Sequence, residues 1–484
     1  MKHRSLCLLL VALAFPLSAC AEEFAARRYT AADGASIGYR LLAPEKLEAG
    51  RKYPLVLFLH GAGERGDDNA AQMTHGVAAF ASKDARERFP CFVLAPQCPK
   101  EQTWSAVKGW TGERSFEEQP TEPMRLVLGA LDALLAELPI DRDRLYVTGL
   151  SMGGYGTFDL LARQPERWAA AAPICGGGDA ARIAAAKGVP LWAFHGALDN
   201  VVQVTRTREM IDSLVRAGGT PLYSEYPYVR HDSWNIAYGE PELLPWMFAQ
   251  KRGQPAVPFS AIASPLSQPP SSACPGAGPM QSGLWFRQLW SEKRKAWAEA
   301  KEADQRAVVF FGDSITQGWG SLAQDFPQLK VANRGISGDT TRGLLTRVRG
   351  DVLDLHPRAV SILIGTNDLD QGAEPEVVLA NLKAVIAELR AADPALPIVI
   401  NQVMPRGKSR GLYPDKIQKL NALYAAAFEN DPKLRFCDTW ALFDDGSGTC
   451  RKEEFPDMLH PNAAGYAKWK VALQAVFDEL GIAK

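Results

Sequence analysis

The sequence predicts two α/β domains joined by a linker, and three observations support this fold class. The first 250 residues alternate short apolar runs with amphipathic stretches, which is typical of a doubly wound sheet with helices on both faces. Residues 253–283 are rich in Pro, Ser, Ala and Gly and lack helical or strand periodicity. Periodic, partly apolar sequence resumes at residue 284. We therefore assign residues 25–252 and 284–484 to two domains and residues 253–283 to a semi-stiff linker.

The composition is that of a globular protein, because 46% of the 484 residues are hydrophobic. The 54 Lys and Arg residues and 55 Asp and Glu residues give a net charge of -1, which excludes a basic surface for nucleic acid or anionic membranes. No C-x-x-C pattern is present, and we expect neither a metal nor another cofactor. Cys437 and Cys450 could pair in an oxidising compartment or remain small buried thiols.

Residues 1–20 have the pattern of an export signal. Two basic residues precede an apolar run at residues 6–15, which is too short for a permanent transmembrane helix. The sequence Leu17-Ser18-Ala19-Cys20 resembles the bacterial lipobox, in which the cysteine is acylated, and the following alanine also permits ordinary A-x-A cleavage. We therefore expect an outer-membrane or periplasmic lipoprotein that contacts the membrane only through its N-terminal lipid, or otherwise a periplasmic or secreted protein.

Five apolar runs in the first domain have the length of buried parallel strands. They occupy residues 55–59, 92–95, 145–148, 168–173 and 191–194. Thr121 and Pro123 mark the start of a helix, which places leucines at 128, 131, 135 and 138 along one face. In such sheets the catalytic groups lie at the carboxyl ends of the strands.

The sequence Gly149-Leu150-Ser151-Met152-Gly153 follows the third of these runs and precedes a helical stretch. A tight turn between strand and helix forces the serine into a strained backbone conformation. It also needs glycines two residues away on either side, because side chains there would keep the strand and helix apart. Ser151 is therefore a candidate nucleophile.

A serine nucleophile needs a histidine base and an acid, which follow such a turn in the order acid, then histidine. Asp199 lies just past the apolar run at residues 191–194 and is the candidate acid. His231 is then the candidate base, and His195 is interpreted as structural. Asp232 is a weaker candidate for the acid, because adjacent side chains rarely face each other.

The oxyanion of the tetrahedral intermediate needs two backbone N–H donors, which we expect from Met152 and from Ala62 in a glycine-rich loop after an early strand. The motifs H-G-A-G-E-R-G, G-L-S-M-G-G-Y-G, H-G-A-L-D and H-D-S-W together resemble α/β-hydrolase esterases. The relatives concerned are feruloyl and acetyl-xylan esterases and a group described as predicted peptidases. The resemblance covers residues 25–252 and implies an α/β-hydrolase fold, but it leaves the substrate open.

Three tryptophans are candidate substrate-binding residues in this domain. Trp234 lies three residues after His231, and Trp104 and Trp110 precede the nucleophile. An indole near the site could stack on an aromatic acid or a sugar ring. Packing in the core is the alternative interpretation for all three.

The second domain opens with a predicted amphipathic helix, which carries Phe286, Trp290, Lys293 and Trp297 on one packing face. An apolar run at residues 308–311 then leads into Gly312-Asp313-Ser314, a second serine at a strand end without the G-x-S-x-G turn. Three further blocks follow at residues 333–341, 362–368 and 457–462, with the sequences N-R-G-I-S-G-D-T-T, I-L-I-G-T-N-D and D-M-L-H-P-N.

These four blocks, in this order, resemble the SGNH (GDSL) hydrolase family. Within that family they are most similar to platelet-activating-factor acetylhydrolase subunits and related bacterial acetylesterases. The resemblance implies a flavodoxin-like α/β/α fold with Ser314 as nucleophile. His460 is the expected base, and Asp457, three residues earlier, can orient its ring from the same side of one turn. Backbone N–H groups of Ser314 and Gly338 and the side-chain amide of Asn367 are the expected oxyanion donors.

Three further aspartates, Asp313, Asp339 and Asp368, are interpreted as structural residues in turns or caps.

Together these patterns predict an exported, bifunctional serine carboxylesterase with two unrelated sites. The expected substrates are acetyl and feruloyl esters on plant cell-wall polysaccharide such as xylan, or a small ester. One alternative is that the first domain is a serine peptidase or general arylesterase and the second a lipase or acylhydrolase. Another is that one domain is a non-catalytic binding module, but both halves carry complete sets of catalytic residues.

Overall fold

The computed structural model describes residues 24–106, 117–407 and 414–482. These divide into two compact units. Of these residues, the first unit contains those up to Tyr223 together with Val229–Ile262, and the second contains Ser224–Tyr228 and those from Ala263 onward. Each half of the chain is built on one β-sheet with helices around it, so the predicted α/β class is confirmed for both.

The first sheet has eight strands in the order β1-β2-β4-β3-β5-β6-β7-β8. Strands β1 and β2 are antiparallel to their neighbours, whereas β4, β3, β5, β6 and β7 run parallel. The five predicted strands correspond to β3 to β7. The bounds are β1 Ala25–Thr30, β2 Ser36–Leu42, β3 Tyr53–Leu59, β4 Phe92–Pro96, β5 Ile140–Leu150, β6 Ala170–Ile174, β7 Trp192–Gly196 and β8 Leu222–Tyr226.

The helices of this half cover both faces of the sheet. All seven side chains of β3 are buried, as expected for a central parallel strand. Thr121 accepts a hydrogen bond from the N–H of Met124, which confirms the predicted helix start. The helices are α1 Lys83–Arg88, α2 Glu122–Glu137, α3 Met152–Arg163, α4 Thr205–Arg216, α5 Trp234–Ala237 and α6 Leu243–Ala249.

The second sheet has five parallel strands in the order β10-β9-β11-β12-β13. The strands are β9 Val308–Gly312, β10 Val331–Gly335, β11 Ala359–Leu363, β12 Ile398–Asn401 and β13 Leu434–Cys437. The helices are α7 Leu284–Glu299, α8 Ser314–Gln317, α9 Leu322–Asp325, α10 Thr341–Asp351, α11 Thr366–Asp370, α12 Pro375–Ala392, α13 Pro414–Phe428, α14 Thr439–Phe443 and α15 Ala463–Glu479.

Neighbouring side chains of β9 point to opposite faces of this sheet. Phe311 lies in an apolar cluster with Leu344 and Leu382, whereas Phe310 packs against Trp319 and Phe477. The sheet is therefore covered on both faces, and the expected α/β/α arrangement is confirmed.

The segment predicted as a linker differs from the expectation of a semi-stiff spacer. Residues 253–262 belong to the first unit and residues 263–283 to the second. Cys274 and Met280 are buried in a cluster with Phe286. Arg342 donates hydrogen bonds to four carbonyl oxygens of the segment, including those of Pro275 at 3.2 Å and Cys274 at 3.1 Å. Residues 263–283 form only a short 3-10 helix at Ser271–Ala273, and the arginine side chain satisfies several of their carbonyl oxygens. They are therefore part of the second unit.

The six cysteines within the described residues are free and buried, so Cys437 and Cys450 form no disulfide. Burial raises the pKa of the Cys437 thiol to about 12. Among the described residues, no helix has the length and apolar character needed to cross a membrane. The predicted export signal and Cys20 lie outside the described residues.

Candidate active sites

The turn between β5 and α3 carries Ser151 in a strained conformation with φ of 54°. A Cβ added to Gly153 would overlap the carbonyl oxygen of Leu59, and one added to Gly149 would overlap the carbonyl oxygen of Gly153. Both clashes are with backbone atoms, which no side-chain rotation can relieve. The two glycines of the motif are therefore needed to place the serine at the carboxyl end of the sheet.

The structure brings Ser151, His231 and Asp199 together in one hydrogen-bonded series. The hydroxyl of Ser151 lies 2.9 Å from Nε2 of His231, and Nδ1 of His231 lies 2.7 Å from Oδ2 of Asp199. The other carboxylate oxygen of Asp199 accepts the N–H groups of Val201 and Val202 at 2.8 and 2.9 Å. This geometry lets His231 take a proton from the serine while Asp199 stabilises the resulting imidazolium.

Asp199 is fully buried at its side chain, which by itself would raise its pKa. The hydrogen bonds from His195 and His231 outweigh this effect and hold the pKa of Asp199 well below its usual range. The carboxylate is therefore charged across the pH range in which a histidine titrates. Asp232, the weaker candidate for the acid, is exposed, and the acceptor facing His231 is Asp199.

The structure gives His195 a contact that the sequence analysis missed. Its Nε2 lies 3.1 Å from Oδ2 of Asp199 and 2.9 Å from the carbonyl oxygen of Val202. Both partners are acceptors only, so Nε2 carries a hydrogen. Nδ1 lies 2.7 Å from the hydroxyl of Thr207. The buried ring therefore positions the acid of the first site, a role for which a histidine at a strand end gives no sequence signal.

Replacement of this ring should change the pH dependence of the first site. His195→Ala removes a donor from Asp199 and raises the pKa of that carboxylate, which strengthens its attraction for the His231 imidazolium. We expect the acidic limb of kcat/KM to move to higher pH and kcat to fall about tenfold, because the acid is less well positioned. The pH–rate profile of the first activity measures both effects.

Thr207→Val is the matched control for this variant, because it removes the hydroxyl at Nδ1 and retains the bond from His195 to Asp199. Thr207→Val should shift the acidic limb of kcat/KM by less than His195→Ala does. A His195→Ala protein that is less stable but has the wild-type pH profile would contradict the positioning role.

The expected donors of the first oxyanion hole lie in two chain segments, which follow the carboxyl ends of β3 and β5. Ala62 begins a short 3-10 helix after β3, and Met152 is the first residue of α3. N–H groups in the first turn of a helix have no acceptor within the helix, so both can donate to an oxyanion. His60 supports this loop: its Nε2 accepts the N–H of Cys98 at 2.9 Å, and burial lowers its pKa to about 4, which keeps it neutral.

The three tryptophans proposed to bind substrate have different positions. Trp104 is fully buried and donates its indole N–H to the carbonyl oxygen of His60 at 3.0 Å, so its assignment to substrate binding is wrong. Its ring fills the space beside Gly156, which makes it a core residue. Trp110 lies outside the described residues. Trp234 is half-buried and packs edge-on against His231, with ring centres 5.3 Å apart.

The second site is built at the carboxyl end of β9, where Ser314 begins α8. Its hydroxyl lies 2.8 Å from Nε2 of His460, and Nδ1 of His460 lies 2.7 Å from Oδ2 of Asp457. Oδ1 of Asp457 also accepts the N–H groups of Leu459 and His460. The predicted three-residue spacing therefore allows one aspartate to hold both the backbone and the ring of the histidine.

The Asp457 carboxylate differs from Asp199 in its solvation, because 42% of its side chain is exposed. Partial burial acts to raise its pKa, but the N–H and the ring of His460 outweigh this and lower the pKa to about 2. Both sites thus have an ionised acid. In the first site several donors outweigh the effect of burial on Asp199, and in the second the donors come mainly from the turn that Asp457 itself begins.

Gly338 and Asn367 are the expected oxyanion donors of the second site, and the structure shows how each is held. Gly338 has a φ of +85°, a conformation that favours glycine. The side-chain nitrogen of Asn367 donates to the carbonyl oxygen of Asp339 at 2.9 Å, and its longer contact to Asp313 is 3.5 Å. The N–H of Asn367 that makes the 3.5 Å contact with Asp313 is weakly bonded, so it is able to donate to the negative oxygen that forms during the reaction.

Three buried aspartates fix the loops that carry these groups. Asp313 accepts the N–H of Ile315 at 3.0 Å, Asp339 accepts the N–H of Thr340, and Asp368 accepts the N–H of Thr341. Burial raises the pKa of Asp313 and Asp368 to about 7 and that of Asp339 to about 6. Asp339 also pairs with the buried Arg347 at 2.8 Å, and Asp368 holds a residue 27 positions away. These contacts are structural, and none that is described involves the Ser314 hydroxyl.

Both sites thus contain a serine, a histidine and an aspartate in hydrogen-bonded series at the carboxyl end of a parallel sheet, which is the arrangement of a serine hydrolase. The GDSL-like Lipase/Acylhydrolase family matches residues 310–468. The Prolyl oligopeptidase family matches residues 117–187, which include the Ser151 turn.

Known proteins resemble this chain at the level of sequence as well. Platelet-activating factor acetylhydrolase IB subunit alpha1 from Pongo abelii is 30% identical over 219 residues, which are 44% of this chain and 90% of that protein. Subunit alpha2 from Homo sapiens is 30% identical over 175 residues, or 35% and 73% of the two chains. The chain belongs to the GDSL-like lipase/acylhydrolase family, and it is a serine ester hydrolase.

Among solved structures, a thermostable esterase is 40% identical to this chain, with a TM-score of 0.46. The similarity covers 48% of this chain and 64% of that esterase.

Proposed function

We propose that the protein removes two kinds of acyl group from one polymer: acetyl at the Ser314 site and feruloyl, or a similar aromatic acyl group, at the Ser151 site. The observation that carries this proposal is the presence of two complete serine–histidine–aspartate series on one chain, with all four hydrogen bonds between 2.7 and 2.9 Å.

The acetyl preference of the second site draws support from two sources. The relatives that match this chain are named for acetylhydrolase activity. The second domain also lacks a long apolar insertion that could line a tunnel for a lipid tail. A small acyl group therefore suits this half of the chain better than a long one.

The aromatic preference of the first site is supported by Trp234. Its half-buried ring packs against the base His231, so it lies beside the position at which a serine ester would form. An aromatic acyl group can stack on an indole in such a position.

The proposed polymer is acetylated and feruloylated xylan. Two esterases on one chain gain from a substrate that carries both decorations, because binding of one site raises the effective concentration of the other. The same covalent link gives no such advantage with two unrelated small esters.

A panel of substrates tests this function. We expect the wild-type protein to release acetate from acetylated arabinoxylan and ferulate from methyl ferulate, as measured by chromatography of the products. Long-chain p-nitrophenyl esters and N-blocked prolyl peptides are the comparison substrates, the latter because of the prolyl oligopeptidase match. Release of neither product, together with good cleavage of long-chain esters or peptides, would show the proposal to be wrong.

A further inference from the structure

Trp285 is the most exposed tryptophan among the described residues, with 53% of its surface accessible. It is the second residue of α7, whose packing face is formed by the buried Phe286 and Trp290. Phe286 and Trp290 lie on the packing face predicted for this helix, and Trp285 lies off it. An indole that contributes little to the core can be retained for a contact with a ligand.

The ring of Trp285 lies directly against the oxyanion glycine of the second site. A Cβ added to Gly338 would be 2.9 Å from Cη2 and 3.6 Å from Cζ2 of Trp285. Because Gly338 has no side chain, the six-membered ring can approach its α-carbon. The indole therefore borders the oxyanion hole.

The indole is also held in place from one side. Phe286, which is fully buried, meets it edge-to-face with ring centres 5.7 Å apart and an interplanar angle of 84°. A ring that is fixed by packing loses little freedom when a ligand binds, so its contact contributes more to affinity than that of a mobile side chain.

We propose that Trp285 is the platform on which a sugar ring in the alcohol part of the ester stacks at the Ser314 site. The inference rests on the proposed function, since an acetyl group is too small to cover an indole and only the alcohol part can do so. An ester whose carbonyl oxygen accepts the N–H of Gly338 brings its remaining atoms beside this ring. The flat face of a pyranose, with its C–H groups, complements an aromatic surface.

The test compares two acetyl esters that differ in the alcohol. In a Ser151→Ala background, so that only the second site acts, we measure kcat and KM for methyl 2-O-acetyl-xylopyranoside and for ethyl acetate. Trp285→Ala should raise KM for the xyloside about three- to tenfold with kcat nearly unchanged, and leave ethyl acetate unaffected. Trp285→Phe, which retains an aromatic face, should recover most of the loss.

Leu284→Ala is the matched control, because Leu284 is the neighbouring exposed apolar residue of α7, with 40% of its surface accessible. It should leave both substrates unchanged. Equal losses on the xyloside and on ethyl acetate, or wild-type kinetics on both, would overturn the inference about Trp285. If the parent protein released no acetate from the xyloside, the proposed function itself would fail, so the two failures are distinguishable.

Discussion

Ser314→Ala is expected to lower acetate release at least a thousandfold while ferulate release stays within about twofold of the wild-type rate, and Ser151→Ala should do the reverse. Each serine is bonded to its own histidine, His460 or His231, and each histidine to its own aspartate. Removal of a serine nucleophile costs up to about 10⁶-fold in kcat in a comparable triad, and what remains comes from binding and the oxyanion hole.

Initial rates on acetylated arabinoxylan and methyl ferulate measure this effect, and the double variant Ser151→Ala/Ser314→Ala should be inactive on both. Thermal unfolding of each variant serves as the control for folding. If either single variant lost both activities while remaining folded, the sites would not be independent.

Asp232→Asn is a further control for the first site, matched to Asp199→Asn. Asp232 is adjacent to the base in sequence, but Asp199 is the residue bonded to it.

The parts of the fold that the sequence predicted correctly are those whose signal is local. Strand β3 is a continuous apolar run because both of its faces are covered, and the G-x-S-x-G turn is required by backbone clashes at Gly149 and Gly153. The Asp457–His460 pair is also local, because three residues of one turn bring the side chains together.

The parts that the sequence did not reveal depend on contacts between distant segments. Residues 263–283 contain no periodic pattern. They pack on the second unit through the burial of Cys274 and Met280 and through the four bonds from Arg342, which join segments far apart in the sequence. The indole of Trp104 is typical of a substrate-binding residue, but in the structure it fills space beside Gly156. His195 contacts Asp199 because the chain turns back after β7, and the motif H-G-A-L-D does not specify this turn.

Asn367→Ala is expected to lower kcat for acetate release about 100- to 1000-fold with little change in KM. The side-chain amide of Asn367 is held by the carbonyl oxygen of Asp339 at 2.9 Å, which aims its nitrogen before substrate arrives. The negative oxygen that it stabilises exists only in the transition state and the intermediate, so the loss appears in kcat and not in substrate binding. Steady-state kinetics with ethyl acetate in the Ser151→Ala background measures it.

Asn381→Ala provides the comparison for this last variant. Asn381 is buried in the second unit, where it donates to the carbonyl oxygen of Ala277 at 2.8 Å and to the hydroxyl of Thr341 at 3.1 Å. Its loss should lower the midpoint of thermal unfolding and leave kcat unchanged at temperatures where the protein is folded, because it holds structure and not the reacting oxygen. An Asn367→Ala protein with a raised KM and a wild-type kcat would assign Asn367 to ground-state binding, since a donor to the oxyanion cannot be lost without slowing the chemical step.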